Sequence, residues 1–139
     1  MPGSWRLLSH TADTGVEAEG ATLGEMAASA VQGLVGSMFA PTPDVSGGAP
    51  MEAWVPGGDL PEVLVELLAE VLFRFEVDDV LPVEPTVEID DDGGMHLRAT
   101  AVPSSEFDVA GPPVKAITYH ELTVEHRPDG WYARVIFDV

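Results

Sequence analysis

The chain has 139 residues, and its 24 acidic residues against 6 basic ones give a formal net charge of −18. This is the length of a single domain, and a hydrophobic content of 45% is enough for one core. The absence of cysteine excludes a disulfide scaffold, thiolate metal sites and cysteine nucleophiles, while the negative charge disfavours autonomous binding to nucleic-acid phosphates.

The N-terminal part predicts two strands and a helix. Trp5–Ser9 is a short apolar run, and Val16–Glu19 alternates apolar and acidic side chains as a half-exposed strand does. Thr22 and Glu25 have the spacing of a capping box, which starts a helix. The helix should end before Pro41, since proline cannot continue it. Its apolar positions recur at three- and four-residue steps: Leu23, Met26, Ala27, Ala30, Val31, Leu34, Val35 and Met38.

A second helix is predicted after Asp59. That residue offers an N-cap, Pro61 stands in the first turn, and the acid Glu62 suits the helix N-terminus. Before it, Pro41–Pro50 is rich in turn residues and predicts a loop, and Met51–Val55 predicts a strand. The apolar stripe of this helix consists of Leu60, Val63, Leu64, Leu67, Leu68, Val71, Leu72 and Phe75.

The C-terminal part predicts two hairpins. Val83–Ile89 and Met95–Val102 flank the turn Asp90–Gly94. Val114–His126 and Trp131–Val139 flank another turn of proline, aspartate and glycine. The first turn does not match a calcium-binding EF-hand loop, because loop position six is not glycine and position twelve is not acidic.

The fold class follows from these elements. Two helices with apolar stripes must cover a sheet with an apolar face. We therefore predict one α+β domain over residues 1–139, a two-layer sandwich of two amphipathic helices packed on a mixed, largely antiparallel β-sheet. No apolar run approaches the ~20 residues that span a bilayer, and the start carries no basic segment followed by an apolar one. These features predict a cytoplasmic protein with no membrane contact.

The first candidate site is the segment His10–Asp13, which follows the first predicted strand. A junction between strand and loop often carries functional residues, because the strand positions them while the loop exposes them. His10 and Asp13 are its titratable members. The alternative is a structural turn in which Asp13 bonds the backbone of Thr14 or Gly15.

The second candidate site is Lys115–His120, which contains the only lysine of the chain. Strand periodicity predicts Lys115, Ile117 and Tyr119 on one face and His120 on the other. The alternative is an ordinary edge-strand charge or an ion pair at Lys115.

The third candidate site is the C-terminus. Asp138 and the carboxylate of Val139 would join Asp13 in a set of three hard anionic oxygens if the first and last strands lie close together. Such a set suits Ca²⁺ or Mg²⁺ rather than a thiophilic metal. The alternative is a solvated, frayed terminus.

In combination these motifs resemble the archease family. The histidine–threonine–alanine–aspartate motif of that family corresponds to His10–Asp13, and the threonine–leucine start of its first helix lies in Gly20–Glu25. Its leucine-rich second helix corresponds to Leu60–Phe75, its lysine-containing strand to Lys115–His120, and its penultimate aspartate to Asp138. Each motif is common by itself, but their order and spacing cover essentially the whole chain.

The resemblance implies an accessory protein and not an enzyme. Archeases assist the GTP- and metal-dependent RNA ligase of the RtcB type, which joins 3′-phosphate or 2′,3′-cyclic phosphate ends to 5′-hydroxyl ends in tRNA splicing and RNA repair. They promote guanylylation of the ligase and its turnover. The resemblance implies a metal site of Asp13, Asp138 and Val139, with Ca²⁺ favoured and Mg²⁺ or Mn²⁺ as alternatives. Lys115 would act at the ligase surface, although Phe107–Pro113 lacks the basic or histidine residues that family members often carry there.

Two other functions remain open at this stage. An acidic chaperone-like module that binds proteins would need no metal, so that Asp13→Ala would leave it active. A small hydrolase could use a metal-bound water with His10 or His120 as the base, and it would turn over substrate without any ligase.

Overall fold

The computed structural model of the chain describes residues 3–8, 14–41 and 48–139. The elements of this part follow in the order β1 (Ser4–Leu7), β2 (Thr14–Gly20), α1 (Leu23–Met38), β3 (Ala49–Val55), α2 (Leu60–Asp78), β4 (Val80–Ile89), β5 (Met95–Pro103), a 3-10 turn (Ser104–Glu106), β6 (Ala116–Ile117), β7 (Thr123–Arg127) and β8 (Gly130–Asp138). The predicted α+β class with two helices is confirmed.

The strands are divided between two sheets. The large sheet has the order β1-β2-β8-β6, with β7 also paired to β8, and the small sheet has the order β3-β5-β4. Every pairing among these strands is antiparallel. The expected single mixed sheet is thus replaced by two antiparallel ones. Alternation predicts which face of a strand is buried but not which strand it pairs with.

Helix α1 begins at the predicted capping box. The hydroxyl of Thr22 accepts a hydrogen bond from the Glu25 N–H at 3.1 Å, and the Glu25 carboxylate accepts one from the Ala21 N–H at 3.1 Å. The returning bond therefore reaches the residue before the N-cap. The helix ends at Met38, as predicted, and most of its apolar stripe is buried: Met26, Ala27, Ala30, Val31, Leu34 and Met38.

Helix α2 begins as predicted and extends further than predicted at its C-terminal end. Asp59 is the N-cap residue, but its side chain makes no capping hydrogen bond. The helix continues beyond Phe75 to Asp78 and ends at Asp79, which adopts a left-handed conformation with φ 54°. Polar residues can extend a helix past its last buried turn, so the apolar stripe marks only the part that packs.

The predicted strand Val114–His126 is interrupted. Strand β6 ends at Ile117, which pairs with Phe137, and β7 begins at Thr123, which pairs with Arg134. The five residues 118–122 thus lie opposite only two residues of β8, Val135 and Ile136. Glu121 accommodates the excess chain with a positive φ of 50°.

Both helices and both sheets contribute to one hydrophobic core. The predicted inner face of β8 supplies Ala133, Val135 and Phe137 to it. Tyr132 and Ile136, on the other face of β8, are also buried. Within the described residues, no helix is long and apolar enough to cross a membrane.

Candidate functional site at the end of strand β8

The structure brings the second and third candidate sites together. Asp138 pairs with Ala116 in the ladder between β8 and β6, and the backbone N–H of Lys115 donates to the Asp138 carbonyl at 2.7 Å. Asp138, Val139 and Lys115 are all exposed. A cationic and an anionic side chain therefore emerge from adjacent chain segments at one end of the large sheet.

Lys115 lies beside the edge strand β6 of the large sheet. Within residues 3–8, 14–41 and 48–139, no carboxylate lies within ion-pair distance of its ammonium group. The location agrees with an edge-strand charge, whereas the alternative of a structural ion pair finds no support in these ranges.

His10 and Asp13 lie outside the described residues, so their predicted roles stay predictions. Their sequence neighbours are described. Leu8 donates its N–H to the Gly15 carbonyl at 3.0 Å, and Thr14 pairs with Phe137. The start of β2 is thus paired with the end of β8, whereas β1, the first strand, pairs with β2 on its other side.

His120 lies in the interruption between β6 and β7, and not on a strand face as the periodicity predicted. Its backbone N–H donates to the hydroxyl of Thr118 at 3.2 Å, and that hydroxyl donates to the Ile136 carbonyl at 3.0 Å. Its Nε2 is 3.8 Å from a carboxylate oxygen of Glu121. The side chain is about two-thirds exposed, so it faces solvent and not the core.

The described residues contain no group of three or more metal-ligating side chains. Asp138 and Val139 offer hard oxygen donors, the type that Ca²⁺, Mg²⁺ and Mn²⁺ prefer. The third predicted ligand, Asp13, lies outside the described ranges. The donor chemistry fits a divalent ion, and the complete set stays a prediction.

The sequence prediction of Asp90–Gly94 as a hairpin turn is confirmed. The backbone carbonyl of Asp90 accepts a hydrogen bond from the Gly93 N–H at 2.9 Å, and the Asp92 carboxylate accepts one from the Gly94 N–H at 3.0 Å. The Asp92 side chain thus stabilises the backbone of its own turn.

Sequence reasoning missed a polar cluster on the outer face of the large sheet. The Arg6 guanidinium donates to the Glu17 carboxylate at 2.8 Å, and the Tyr132 hydroxyl donates to it at 3.1 Å. The bond from Arg6 lowers the pKa of Glu17 and outweighs burial, which acts in the opposite direction. Burial is the main cause that raises the pKa of Tyr132. The opposite charges of β1 and β2 were visible in the sequence, but their pairing depends on the register.

Comparison with known proteins assigns the chain a family. Residues 5–139 match the model of the archease protein family (MTH1598/TM1083). The protein archease of Methanosarcina acetivorans is 32% identical over 140 residues, which cover 97% of this chain and 95% of the relative.

Solved structures agree with this match. The solution structure of Methanobacterium thermoautotrophicum protein 1598 has a TM-score of 0.77 and 25% identity, covering 98% of this chain and 99% of that one. A crystal structure from Thermotoga maritima, described as an archease and possible chaperone, has a TM-score of 0.66. It covers 96% of each chain, and at 18% identity it supports the fold alone.

Proposed function

The chain belongs to the archease family, and from this membership we propose that it is an accessory protein that activates an RNA ligase. The ligase is of the GTP-dependent RtcB type, which joins 3′-phosphate or 2′,3′-cyclic phosphate ends to 5′-hydroxyl ends in tRNA splicing and RNA repair. The protein promotes guanylylation and turnover of the ligase and does not itself catalyse the joining.

The observation that carries this proposal is the adjacency of Lys115 and Asp138. Their backbones are hydrogen-bonded to each other, and both side chains are exposed. Among the described residues, no carboxylate forms an ion pair with Lys115. Thr14, which follows Asp13 in the sequence, pairs with the residue before Asp138. These contacts support a functional surface to which all three family motifs contribute.

Asp13, Asp138 and Val139 would hold a divalent ion at this surface. Their oxygens favour Ca²⁺, with Mg²⁺ or Mn²⁺ as alternatives. The bound ion would supply positive charge toward a phosphate or an acidic group of the ligase. Lys115 would act beside it by contacting the same class of anionic group, since a lysine ammonium is a compact point charge with three donors.

The test measures guanylylation of the cognate ligase and RNA joining with and without this protein. We expect wild type to stimulate both reactions. The variants Asp13→Asn and Asp138→Asn should give at least about tenfold less stimulation than wild type. Lys115→Ala should reduce it as well. Glu106→Gln is the matched control, because it removes an exposed carboxylate that belongs to none of the three family motifs. It should leave stimulation unchanged.

The outcomes distinguish the role at the ligase from the metal mechanism. If wild type stimulates and both aspartate variants stimulate equally well, the ligase role stands and the metal mechanism is wrong. If wild type does not stimulate an active cognate ligase, the proposed function is wrong.

The second candidate is an acidic chaperone-like module with no metal requirement. The strong negative charge favours it, because a highly charged surface keeps complexes with unfolding chains soluble. This function predicts that wild type and Asp138→Asn suppress aggregation of heated luciferase equally, without any effect on the ligase.

A further inference from the structure

An open groove of about 400 Å³ lies between strand β3 and helix α2. Trp54 lines it from the strand side, and Ala69 and Phe73 line it from the helix side, together with Glu66 and Glu70. Trp54 is 62% exposed and Phe73 is 56% exposed. Two large aromatic side chains thus remain in water on either side of one groove, which marks an interaction surface.

The indole ring of Trp54 is held in place from one side. It stacks on the imidazole of His96, with ring centroids 4.2 Å apart and an interplanar angle of 25°. His96 is buried and stands opposite Trp54 in the ladder between β3 and β5. An aromatic side chain that is already ordered loses little conformational entropy on binding, which is typical of an interface anchor.

The wall formed by helix α2 is acidic. Glu62, Glu66 and Glu70 follow each other at four-residue steps, where like charges repel on a helix surface. Glu70 receives a hydrogen bond from Arg74 at 2.9 Å. In the described ranges, no cation lies within ion-pair distance of Glu62 or Glu66. The repulsion along this stripe would be relieved by cations from outside.

Arg74, the one basic residue of helix α2, also affects how a partner can bind. Arg74 donates from its Nη2 to the backbone carbonyl of Glu52 on the edge strand β3 at 3.0 Å. This carbonyl is therefore not free to pair with an added strand. We therefore expect a partner to contact mainly the side chains that line the groove.

We propose that this groove binds a basic segment of another protein that also carries apolar side chains. The apolar side chains pack against Trp54 and Phe73, and the lysines or arginines pair with Glu62 and Glu66. A second copy of this chain would bring the same net charge of −18 to the contact, so charge disfavours self-association. Nucleic acid and anionic membranes are disfavoured for the same reason. The groove shares no residue with the Lys115–Asp138 site, and the inference does not depend on the proposed function.

The experiment measures binding of a fluorescent amphipathic peptide, with leucines on one helix face and lysines on the other, at physiological ionic strength. The matched probes have serine in place of leucine or glutamate in place of lysine. We expect Phe73→Ala with Glu66→Lys to weaken binding of the leucine–lysine peptide about tenfold or more. Both matched probes should bind at least about tenfold more weakly than the parent peptide.

The control variant combines Val109→Ala with Glu106→Lys. It also removes one exposed apolar side chain, since Val109 is 77% exposed, and it changes the net charge by the same amount. It should bind within about twofold of wild type, and circular dichroism should show both variants folded. Equal weakening in both variants would mean binding to overall charge alone and would overturn the proposal. So would unchanged binding in the groove variant, equal binding of the serine probe, or a wild-type dimer in sedimentation that the groove variant abolishes.

Discussion

Glu17 shows how a single carboxylate organises an exposed sheet face. It accepts hydrogen bonds from Arg6 at 2.8 Å and from Tyr132 at 3.1 Å. The bond from Arg6 is the largest of the influences that place the pKa of Glu17 below its ordinary value of 4.5. Both bonds are stronger when the acceptor is ionised, so this contribution to stability depends on pH.

We predict that Glu17→Gln lowers the melting temperature at neutral pH, by about 1–3 °C. Because the pKa of Glu17 is lower in the folded than in the unfolded state, its stabilisation is complete above pH 4.5. The stabilisation is lost as the pH falls through the folded-state pKa. Thermal unfolding should therefore be measured from neutral to acidic pH. The melting temperatures of wild type and Glu17→Gln should converge at acidic pH.

The matched control for this prediction is Glu106→Gln, which removes a different exposed carboxylate and leaves the bonds of Glu17 intact. Its melting temperature should follow that of wild type throughout. A gap between Glu17→Gln and wild type that stays constant down to acidic pH would contradict the role assigned to the ionised carboxylate.

Among the secondary-structure elements, α1 packs closely against the small sheet at its own N-terminus. A Cβ atom added at Gly24 would lie 2.3 Å from the backbone carbonyl oxygen of Val87 in β4. The contact is with backbone and not with the end of a flexible side chain, so the strand or the helix would have to move. Helix propensity alone gives the opposite expectation, since alanine exceeds glycine by about 1 kcal/mol inside a helix.

We predict that Gly24→Ala destabilises the protein, with a free energy of unfolding lower by about 1–3 kcal/mol. Displacement of α1 from β4 costs more than the gain in propensity. The measurement is denaturant-induced unfolding. Gln32→Ala, at an exposed position of the same helix, is the control and should change stability by less than about 0.5 kcal/mol. An increase in stability for Gly24→Ala would show that the contact with Val87 is easily relaxed.

For the molecule as a whole, the dominant electrostatic feature is its net charge of −18. Charges of one sign repel more strongly in the compact state than in the unfolded chain. Among the described residues, the arginines form ion pairs with six acidic residues, for example Arg74 with Glu70 and Arg98 with Glu52. This is a small part of the 24 acidic residues of the chain. Folding therefore proceeds against an internal repulsion that dissolved salt can screen.

We predict that the melting temperature rises with monovalent salt, by several degrees between about 0.01 M and 0.5 M. Sodium and choline chloride should act alike, because screening does not distinguish between the cations. CaCl₂ at equal ionic strength should stabilise further if the proposed metal site binds it, and Asp138→Asn should remove only this extra part. A melting temperature that is insensitive to monovalent salt would contradict the repulsion.

The sequence by itself determined those features whose causes are local. Helix α1 follows from the period of its apolar residues and from the capping hydrogen bonds that Thr22 and Glu25 make. The Asp90–Gly94 turn follows from its own aspartates and glycines. The α+β class follows from the number and type of such elements. Asp138 and Lys115 were likewise identified as candidates from the sequence, in part through a family resemblance.

Only the tertiary structure decided which distant segments are adjacent. The division into two sheets, the interruption opposite Val135 and Ile136, and the hydrogen bond between Lys115 and Asp138 all depend on strand register. The groove between Trp54 and Phe73 depends on how α2 packs beside β3. Register and packing result from competition among all strands and helices for one core, and the pattern of a single segment does not contain that information.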